Sequence, residues 1–501
     1  MTIEDRVLKG LTKGEVISVK IDDFSDMGQG IGHYEGMAVF VDGAYPGDVT
    51  DVKLTKVKKN YAIGYAEKIT KTSDNRIDKM CEYNGRDGCG GCVFSQLSYK
   101  GQLEIKEKQV KDKLERIAKL DNPIVKPVVA MEEPFRYRNK AQMPIGMGEK
   151  VGFFKAKSHE MVDCADCKLQ MEPAMACAEA VRKFMKETGV KAYDEKTGKG
   201  FLRHLIVKTA VKTGEVMAII VAVKKDIPQL ERLAELMDDA IYNIPRTDAG
   251  VEFFLESIAI NVNKDKGPEI LGKDTIIAFG KQTIQEELMD MKFEISPMAF
   301  YQTNPIQTEK LYSKVIEYAC LQGEEVVLDL YCGVGTIGLI LAREMEKKHV
   351  EKNGVLDYSK LGKVYGIESV KGAVLDANRN AVINGIVNAR YLVGKAEDKI
   401  SDLLEGKLSK DEEAQPIRPD VVILDPPRAG CDIELLKAVS KAAPEKIIYV
   451  SCDPGTMARD IRILTEGFGE TKYDFVEATP VDMFPWTSHV ESVCLLSKVQ
   501  N

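Results

Sequence analysis

The chain has no apolar stretch long enough to cross a membrane: its longest strongly apolar run, residues 216–223, falls far short of the roughly 20 residues a span needs. Residues 1–10 are charged where a secretory signal would be apolar. No membrane partner is expected, and the cytoplasm is the expected compartment. A disulfide framework is missing too. The eleven cysteines are unevenly spaced in a chain of 501 residues, which leaves metal-binding or catalytic roles as the ones to test. Positive charge is short overall, at a formal net charge of -8. That balance weighs against nucleic acid as partner, because phosphate binding leaves a basic footprint.

What is present points the other way locally. Lys53, Lys56, Lys58, Lys59, Lys68 and Lys71 stand against Glu67 alone in one stretch, and Arg136, Arg138 and Lys140 cluster later. A basic N-terminal half meeting RNA is compatible with acidic surface elsewhere. Hydrophobic residues at 44% and charged ones at 30% describe an ordinary globular chain, and the length predicts two or three domains. Short β-rich stretches at 15–21, 37–41, 48–57 and 62–69, punctuated by Gly28, Gly30, Gly32, Gly43 and Pro46-Gly47, predict a small OB-like barrel, a common platform for single-stranded RNA. A barrel used only for packing or oligomerisation is the plainer alternative. Leu103, Val110, Leu114 and Ile117 share one face of a helix predicted over 99–120. Strands at 202–211 and 215–223 and a helix at 228–237 make residues 135–291 a mixed α+β region without assignable chemistry.

From Glu325 the pattern becomes alternating strands and helices, with strands at 326–331, 363–368, 390–393, 420–424, 446–451, 473–476 and 490–497. It predicts a parallel, doubly wound α/β sheet. The closing pair without an intervening helix is similar to the class I methyltransferase fold. Asp329-Leu330-Tyr331-Cys332-Gly333-Val334-Gly335-Thr336 follows the first of these strands and leads into a helical run at 337–345. Its glycines let the backbone turn tightly and approach a ligand at the carboxyl edge of the sheet, although the three-glycine dinucleotide fingerprint is absent. Glu368 ends the next strand, where a carboxylate accepts hydrogen bonds from the ribose of an adenosine cofactor. It lies 39 residues beyond Asp329, against about 20 in related nucleotide folds. The charged stretch 344–362 is read as a surface insertion that explains the excess.

Asp425-Pro426-Pro427-Arg428 ends the fourth strand, and alone it favours methylation of an amino nitrogen. The fifth strand then delivers Cys452, within Ser451-Cys452-Asp453-Pro454, to the same sheet edge. Carbon 5 of uracil is too weak a nucleophile to attack a sulfonium methyl. Addition of a thiolate to carbon 6 makes an enolate with electron density at carbon 5, and cysteine suits that reversible addition. The proton left on carbon 5 must then be removed by a general base. Glu491, opening the final strand, is the best-placed carboxylate, and His489 competes with it.

These segments resemble the uracil-C5 RNA methyltransferases, especially the bacterial 23S ribosomal RNA enzymes, over nearly the whole chain. The motifs stand here as Phe300-Tyr301-Gln302-Thr303-Asn304, Leu328-Asp329-Leu330-Tyr331-Cys332-Gly333, Leu424-Asp425-Pro426-Pro427-Arg428-Ala429-Gly430, Val450-Ser451-Cys452-Asp453-Pro454 and Asp482-Met483-Phe484-Pro485. The resemblance implies that Gln302, Tyr331, Glu368 and Asp425 contact S-adenosylmethionine, that Cys452 is the nucleophile and Glu491 the base, and that Phe300 stacks near the target base. Thr336 stands where the family commonly has Asn. The barrel resembles the family's RNA-binding TRAM domain. The implied organisation is a TRAM barrel at 1–72, a central domain at 73–98 and 121–292, and a catalytic domain at 99–120 and 293–501, in a chain acting as a monomer.

Cys81, Cys89 and Cys92 form a compact thiol group, followed by Cys164 and Cys167. Three close sulfurs and one remote sulfur suit either a tetrahedral zinc site or a [4Fe–4S] cluster. The resemblance favours the cluster, with Cys167 as fourth ligand and Cys164 as its rival. Three functions compete: a uracil-C5 methyltransferase, on ribosomal or on transfer RNA; an amino-methyltransferase, which has no need of Cys452; and a silent RNA-binding or iron–sulfur sensor, which has no need of the reacting pair. The barrel and the cysteines resemble the ribosomal branch.

Overall fold

A computed structural model describes residues 11–499 apart from 157, 268, 408–415 and 470; the expectation for residues 1–10 lies outside them. The chain divides into two compact units, neither continuous in sequence. One holds the chain up to Gln109 with Phe154–Glu160 and Phe484–His489; the other holds Val110–Phe153, Met161–Met483 and the chain from Val490 onward.

In the first unit β1 (Val16–Phe24), β2 (Gly30–Tyr34), β3 (Met37–Asp42), β4 (Val49–Val57) and β5 (Tyr61–Lys71) close a barrel in the order β1-β2-β3-β5-β4. Alternation puts Ile17, Val19 and Ile21 of β1 and Met37, Val39 and Val41 of β3 into its core. Strand β2 corrects the sequence reading, which took Gly30 and Gly32 for turn residues. They are ladder residues, and Gly32 is glycine because a Cβ there would run into the Lys20 carbonyl on β1. Fully buried Asp48 accepts from the Tyr45 and Ser73 amides and pairs with Arg76 at 2.7 Å. Helix α1 (Tyr99–Arg116) stops four residues short of the predicted end; its first part, to Gln109, belongs to this unit.

The second unit contains two large sheets. In the first, β6 (Lys140–Gly146), β7 (Lys150–Phe154), β8 (Met161–Asp163), β9 (Leu202–Thr209), β10 (Glu215–Ala222), β11 (Phe254–Val262) and β12 (Asp274–Gly280) lie in the order β12-β11-β10-β9-β6-β7-β8. Helices α2 (Glu172–Thr188) and α3 (Leu230–Tyr242) bury Val181, Phe184, Leu233 and Met237 against Leu205, Val207, Ala218 and Ile220. A hairpin of β13 (Ile284–Leu288) and β14 (Met291–Ile295) leads to α4 (Pro305–Ala319).

The second sheet is formed by β15 (Val326–Leu330), β16 (Lys363–Glu368), β17 (Ala389–Val393), β18 (Val421–Leu424), β19 (Lys446–Ser451), β20 (Tyr473–Val481) and β21 (Glu491–Lys498), with α5 (Thr336–Asn353), α6 (Lys371–Ile383), α7 (Ala396–Leu404), α8 (Ile433–Ala442) and α9 (Pro454–Glu466) between strands. Its order is β17-β16-β15-β18-β19-β21-β20, parallel except for β21. This is the class I methyltransferase order. The strand order reverses between β15 and β18, and that switch point opens the ligand crevice at the carboxyl edge. Much of the stretch read as a surface insertion is α5 itself, which continues to Asn353 and buries Met345 and His349 one turn apart. Among the described residues no helix is long and apolar enough to cross a membrane.

Candidate active site

At the end of β15 the backbone turns through Tyr331 (φ 64°) and Gly335 (φ 81°) into α5. Asp329 is fully buried beneath the turn. Its Oδ2 accepts from the Gly338 amide at 2.9 Å, while Oδ1 is buried without a hydrogen-bond partner. Gly338 must lack a Cβ, which would stand 2.8 Å from that Oδ2. At the end of β16, Glu368 is oriented by the Gly333 amide on Oε2 (3.2 Å) and the Val370 amide on Oε1 (2.8 Å). This fixed carboxylate suits a nucleoside-bearing cofactor laid over the turn.

Gln302 comes to the site from the loop before α4. Its carbonyl accepts from Asn139 Nδ2 at 3.0 Å, and its side chain lies near the Tyr312 hydroxyl. That hydroxyl also meets Thr336 Oγ1 at 3.1 Å, so the Thr in place of the family's Asn has a defined partner. Buried Lys208 ties down the same loop, donating to the Ser296 and Ala299 carbonyls at 2.8 Å each. Phe300, the next residue, is 65% exposed. Tyr331 is half-buried, its hydroxyl pushed up by burial and by the charges of Cys431 and Glu397.

The residues that the sequence reading assigned to the reaction lie at the ends of the neighbouring strands. Cys452 follows β19 and precedes α9, whose N-terminus is capped by Asp453 Oδ1 on the Gly455 (2.9 Å) and Thr456 (3.0 Å) amides. Antiparallel register pairs Ser451 with Ser492. Glu491, the first residue of β21 and 39 residues from Cys452 in the chain, is near enough for its charge to act on the Cys452 thiol. Burial first, then the charges of Glu491 and Asp425, push the Cys452 thiol up to about 11 against the opposing charge and hydrogen bond of Arg428. Burial and then the charge of Asp425 lift Glu491 to about 8, against the opposing charge of Arg428. Burial lifts Asp425 to about 7. For Asp329, burial and then the charge of Asp425 give about 8. Cys452, Glu491, Asp425 and Arg428 therefore share one electrostatic neighbourhood, and Asp425 connects it to Asp329 beneath the β15–α5 turn.

Arg428 was quoted from the sequence only as part of a motif, without a role. The signal was its place three residues after Asp425. Its loop is held by α9: Thr456 Oγ1 donates to the Arg428 carbonyl (3.1 Å) and Arg459 to the Ala429 carbonyl (3.0 Å). Asp329 and Asn139 were also missed as site residues, because nothing local distinguishes a buried acid or amide from a solvated one. His489 belongs to the first unit and Glu491 to the second. The His489 ring meets the Phe484 ring edge-on at 6.2 Å.

Cys81, Cys89 and Cys92 are half-buried in the first unit, on a loop organised by Asn84, whose Nδ2 donates to the Cys89 (3.0 Å) and Cys92 (2.9 Å) carbonyls. The Gly91 amide points at Cys89 Sγ, 3.4 Å away. Cys164, buried, and Cys167, half-buried, belong to the second unit. Among the described residues no three His, Cys, Asp or Glu side chains are gathered as a metal ion requires.

A family model described as tRNA (uracil-5-)-methyltransferase matches residues 269–499, and one described as TRAM domain matches residues 10–66. A protein of Caldanaerobacter subterraneus is 43% identical over 97% of this chain and 99% of its own length; one of Halalkalibacterium halodurans is 38% identical over 97% and 98%. Both are named as uncharacterized RNA methyltransferases. The crystal structure of the Pyrococcus abyssi tRNA (uracil-54, C5)-methyltransferase in complex with S-adenosyl-L-homocysteine is similar at a TM-score of 0.70 and 29% identity, over 96% of this chain and 99% of that one. With a TRAM barrel, a class I sheet and relatives matched from end to end, the chain belongs to the RNA (uracil-5-)-methyltransferase family.

Proposed function

We propose that this chain methylates carbon 5 of a uracil in 23S ribosomal RNA through a covalent bond between Cys452 and carbon 6. The observation that carries the reading is the grouping of Cys452 with Glu491, Asp425 and Arg428 at one sheet edge. S-adenosylmethionine, held by Gln302, Tyr331, Glu368 and Asp425, supplies an electrophilic methyl. Cys452 adds as thiolate to carbon 6, and Arg428 stabilises the charge its thiol must acquire. Once carbon 5 carries the methyl, Glu491 takes the remaining proton; the carbon 5–carbon 6 double bond re-forms and the thiolate leaves. Phe300 stacks on the base from its exposed position.

Glu491→Gln leaves the first two steps intact, so it accumulates a Cys452–RNA adduct visible as a slow band on a denaturing gel. Normal turnover without adduct in Glu491→Gln, with trapping in His489→Gln, moves the role to His489. Cys452→Ala abolishes methyl transfer while titration calorimetry finds S-adenosylmethionine affinity within a few-fold of wild type; retained turnover removes the covalent mechanism.

Transfer RNA is the second reading, favoured by the likeness to the tRNA enzyme of Pyrococcus abyssi. Mapping 5-methyluridine in ribosomal and transfer RNA from cells with and without the protein separates the two. Cys81, Cys89 and Cys92 are proposed as ligands of a [4Fe–4S] cluster, supported by three thiols on one loop and the Gly91 amide directed at a sulfur. Iron and sulfide in anaerobically purified protein, lost in Cys81→Ser, test this, and Cys167→Ser against Cys164→Ser identifies the fourth ligand. Stoichiometric zinc in colourless protein favours zinc.

A further inference from the structure

Among the described residues β14 pairs with β13 alone, and its other edge is met by the side chains of a helix. Asp376 and Asn380 of α6 and its C-cap Asn384 stand four residues apart on one face. Asn384 Oδ1 accepts from the Lys292 amide at 2.9 Å, and its Nδ2 donates to the Lys292 carbonyl at 2.7 Å. Asn380 Oδ1 accepts from the Glu294 amide at 2.9 Å, and Asp376 Oδ2 from the Ser296 hydroxyl at 3.1 Å. The two spacings match. Four residues of helix rise about 6 Å and two of strand about 6.6 Å, so each side chain in turn meets every second residue from Lys292 to Ser296.

Asn380 reaches beyond that edge. It is fully buried, and while its Oδ1 takes the Glu294 amide, its Nδ2 donates to the Val334 carbonyl at 3.3 Å. Val334 lies in the β15–α5 turn, next to the Gly333 amide that orients Glu368. One carboxamide therefore joins β14 to the turn. Its acceptor and its donor are both engaged, which fixes the orientation of the amide and which no apolar side chain reproduces. A second tie lies downstream: the hydroxyl of buried Tyr312 on α4 meets Oγ1 of Thr336, the first residue of α5, at 3.1 Å. Residues 296–304 run between β14 and α4. The segment carrying Phe300 and Gln302 is thus fastened to the turn at both of its ends, and all of these residues belong to the second unit.

We propose that Asn380 is a positioning residue for methyl transfer: by joining the Val334 carbonyl to the Glu294 amide it holds the Phe300–Gln302 segment at a fixed distance from the turn, so that filling the turn steadies the segment that meets the base. The inference rests on the reading of the turn as the cofactor site and of Phe300 as a contact of the base. Methyl transfer needs donor and acceptor carbon held in line, and a loosened segment does not hold them. Loss of the tie therefore slows the transfer more than it weakens cofactor binding.

The test uses full-length Asn380→Leu, which removes both bonds at similar volume, and Asn380→Ser as a smaller change. Asn384→Ala, which releases the hairpin from α6 without touching the turn, is the control, and Phe300→Ala runs alongside. Three quantities are read: single-turnover methyl transfer to bulk RNA from cells lacking the protein, S-adenosylmethionine affinity by calorimetry, and amide hydrogen exchange with and without S-adenosylmethionine. Expected for both Asn380 variants are transfer slowed by about tenfold or more and affinity within about threefold of wild type. The extra protection that S-adenosylmethionine gives residues 284–295 of the wild type is lost in them, whereas Asn384→Ala keeps it and transfers at close to the wild-type rate. A wild-type transfer rate in either Asn380 variant, or unchanged ligand-dependent protection of residues 284–295, overturns the inference alone. Ligand binding to the wild type without any change of exchange at residues 331–338 overturns the cofactor reading of the turn, and an unchanged rate in Phe300→Ala overturns that of the base contact; the inference falls with either. Asn380 variants that do not fold, or that lose rate, affinity and thermal stability together as Asn384→Ala does, show a merely structural role and overturn it as well.

Discussion

Burial places three carboxyl groups of one site near neutrality: Asp329 at about 8, Asp425 at about 7 and Glu491 at about 8. Each holds its proton more tightly than in an unfolded chain. Their contribution to stability is therefore full below the ordinary carboxylate range and is lost as pH rises through about 8. Glu491→Gln removes one such proton site, so its melting temperature should gain on wild type between about pH 5 and about pH 8 and hold that gap above. A gap that does not change with pH excludes a buried, raised Glu491. The rate responds in the opposite sense, because the base acts only when deprotonated. Turnover at saturating RNA should rise from about pH 7 to about pH 9, and a profile flat over that range argues against Glu491 as the group that titrates.

At the scale of elements, the site is assembled by strand ends and the turns that follow them. The β15–α5 turn works because the Gly338 amide approaches Asp329 closely enough to donate to it. In Gly338→Ala the new methyl stands 2.8 Å from Asp329 Oδ2 in a helix start with no room to yield. S-adenosylmethionine affinity should fall by about tenfold or more, read by calorimetry, while the barrel unit is untouched. An unchanged affinity means the turn does not bind the cofactor. The β18 loop owes its shape to α9 in the same way: Asp460 Oδ2 accepts from the Tyr449 hydroxyl at 2.6 Å and the Cys431 amide at 2.7 Å, so the segment carrying Asp425 and Arg428 is braced from behind.

For the molecule as a whole, charge is distributed rather than summed. The chain is acidic at -8, yet Lys56, Lys58, Lys59, Lys68 and Lys71 are exposed on or beside β4 and β5 of the barrel. Contacts from such lysines to phosphate are sequence-independent and weaken with salt. Lys58→Glu with Lys59→Glu should lower RNA affinity most at low salt and flatten its dependence on salt concentration, with S-adenosylmethionine affinity unchanged. Equal salt slopes for variant and wild type place the RNA elsewhere.

The residues assigned to the chemistry could be picked out from the sequence because their motifs are local. Cys452, Asp425, Glu368 and Gln302 each stand in a short motif at a strand end or in the loop before a helix, and alternation of strand and helix announced the sheet that carries them. A strand's period of two and a helix's 3.6 need only neighbouring residues to be read. Strand β2 stayed hidden because its glycines serve a close approach to another strand, and the length of α5 because its charged exterior masks the buried Met345 and His349. The nearness of Glu491 to Cys452 and the raised Asp329 were decided by the tertiary structure alone. Burial and long-range pairing set a proton's affinity or a backbone's strain, and neither is a property of adjacent residues.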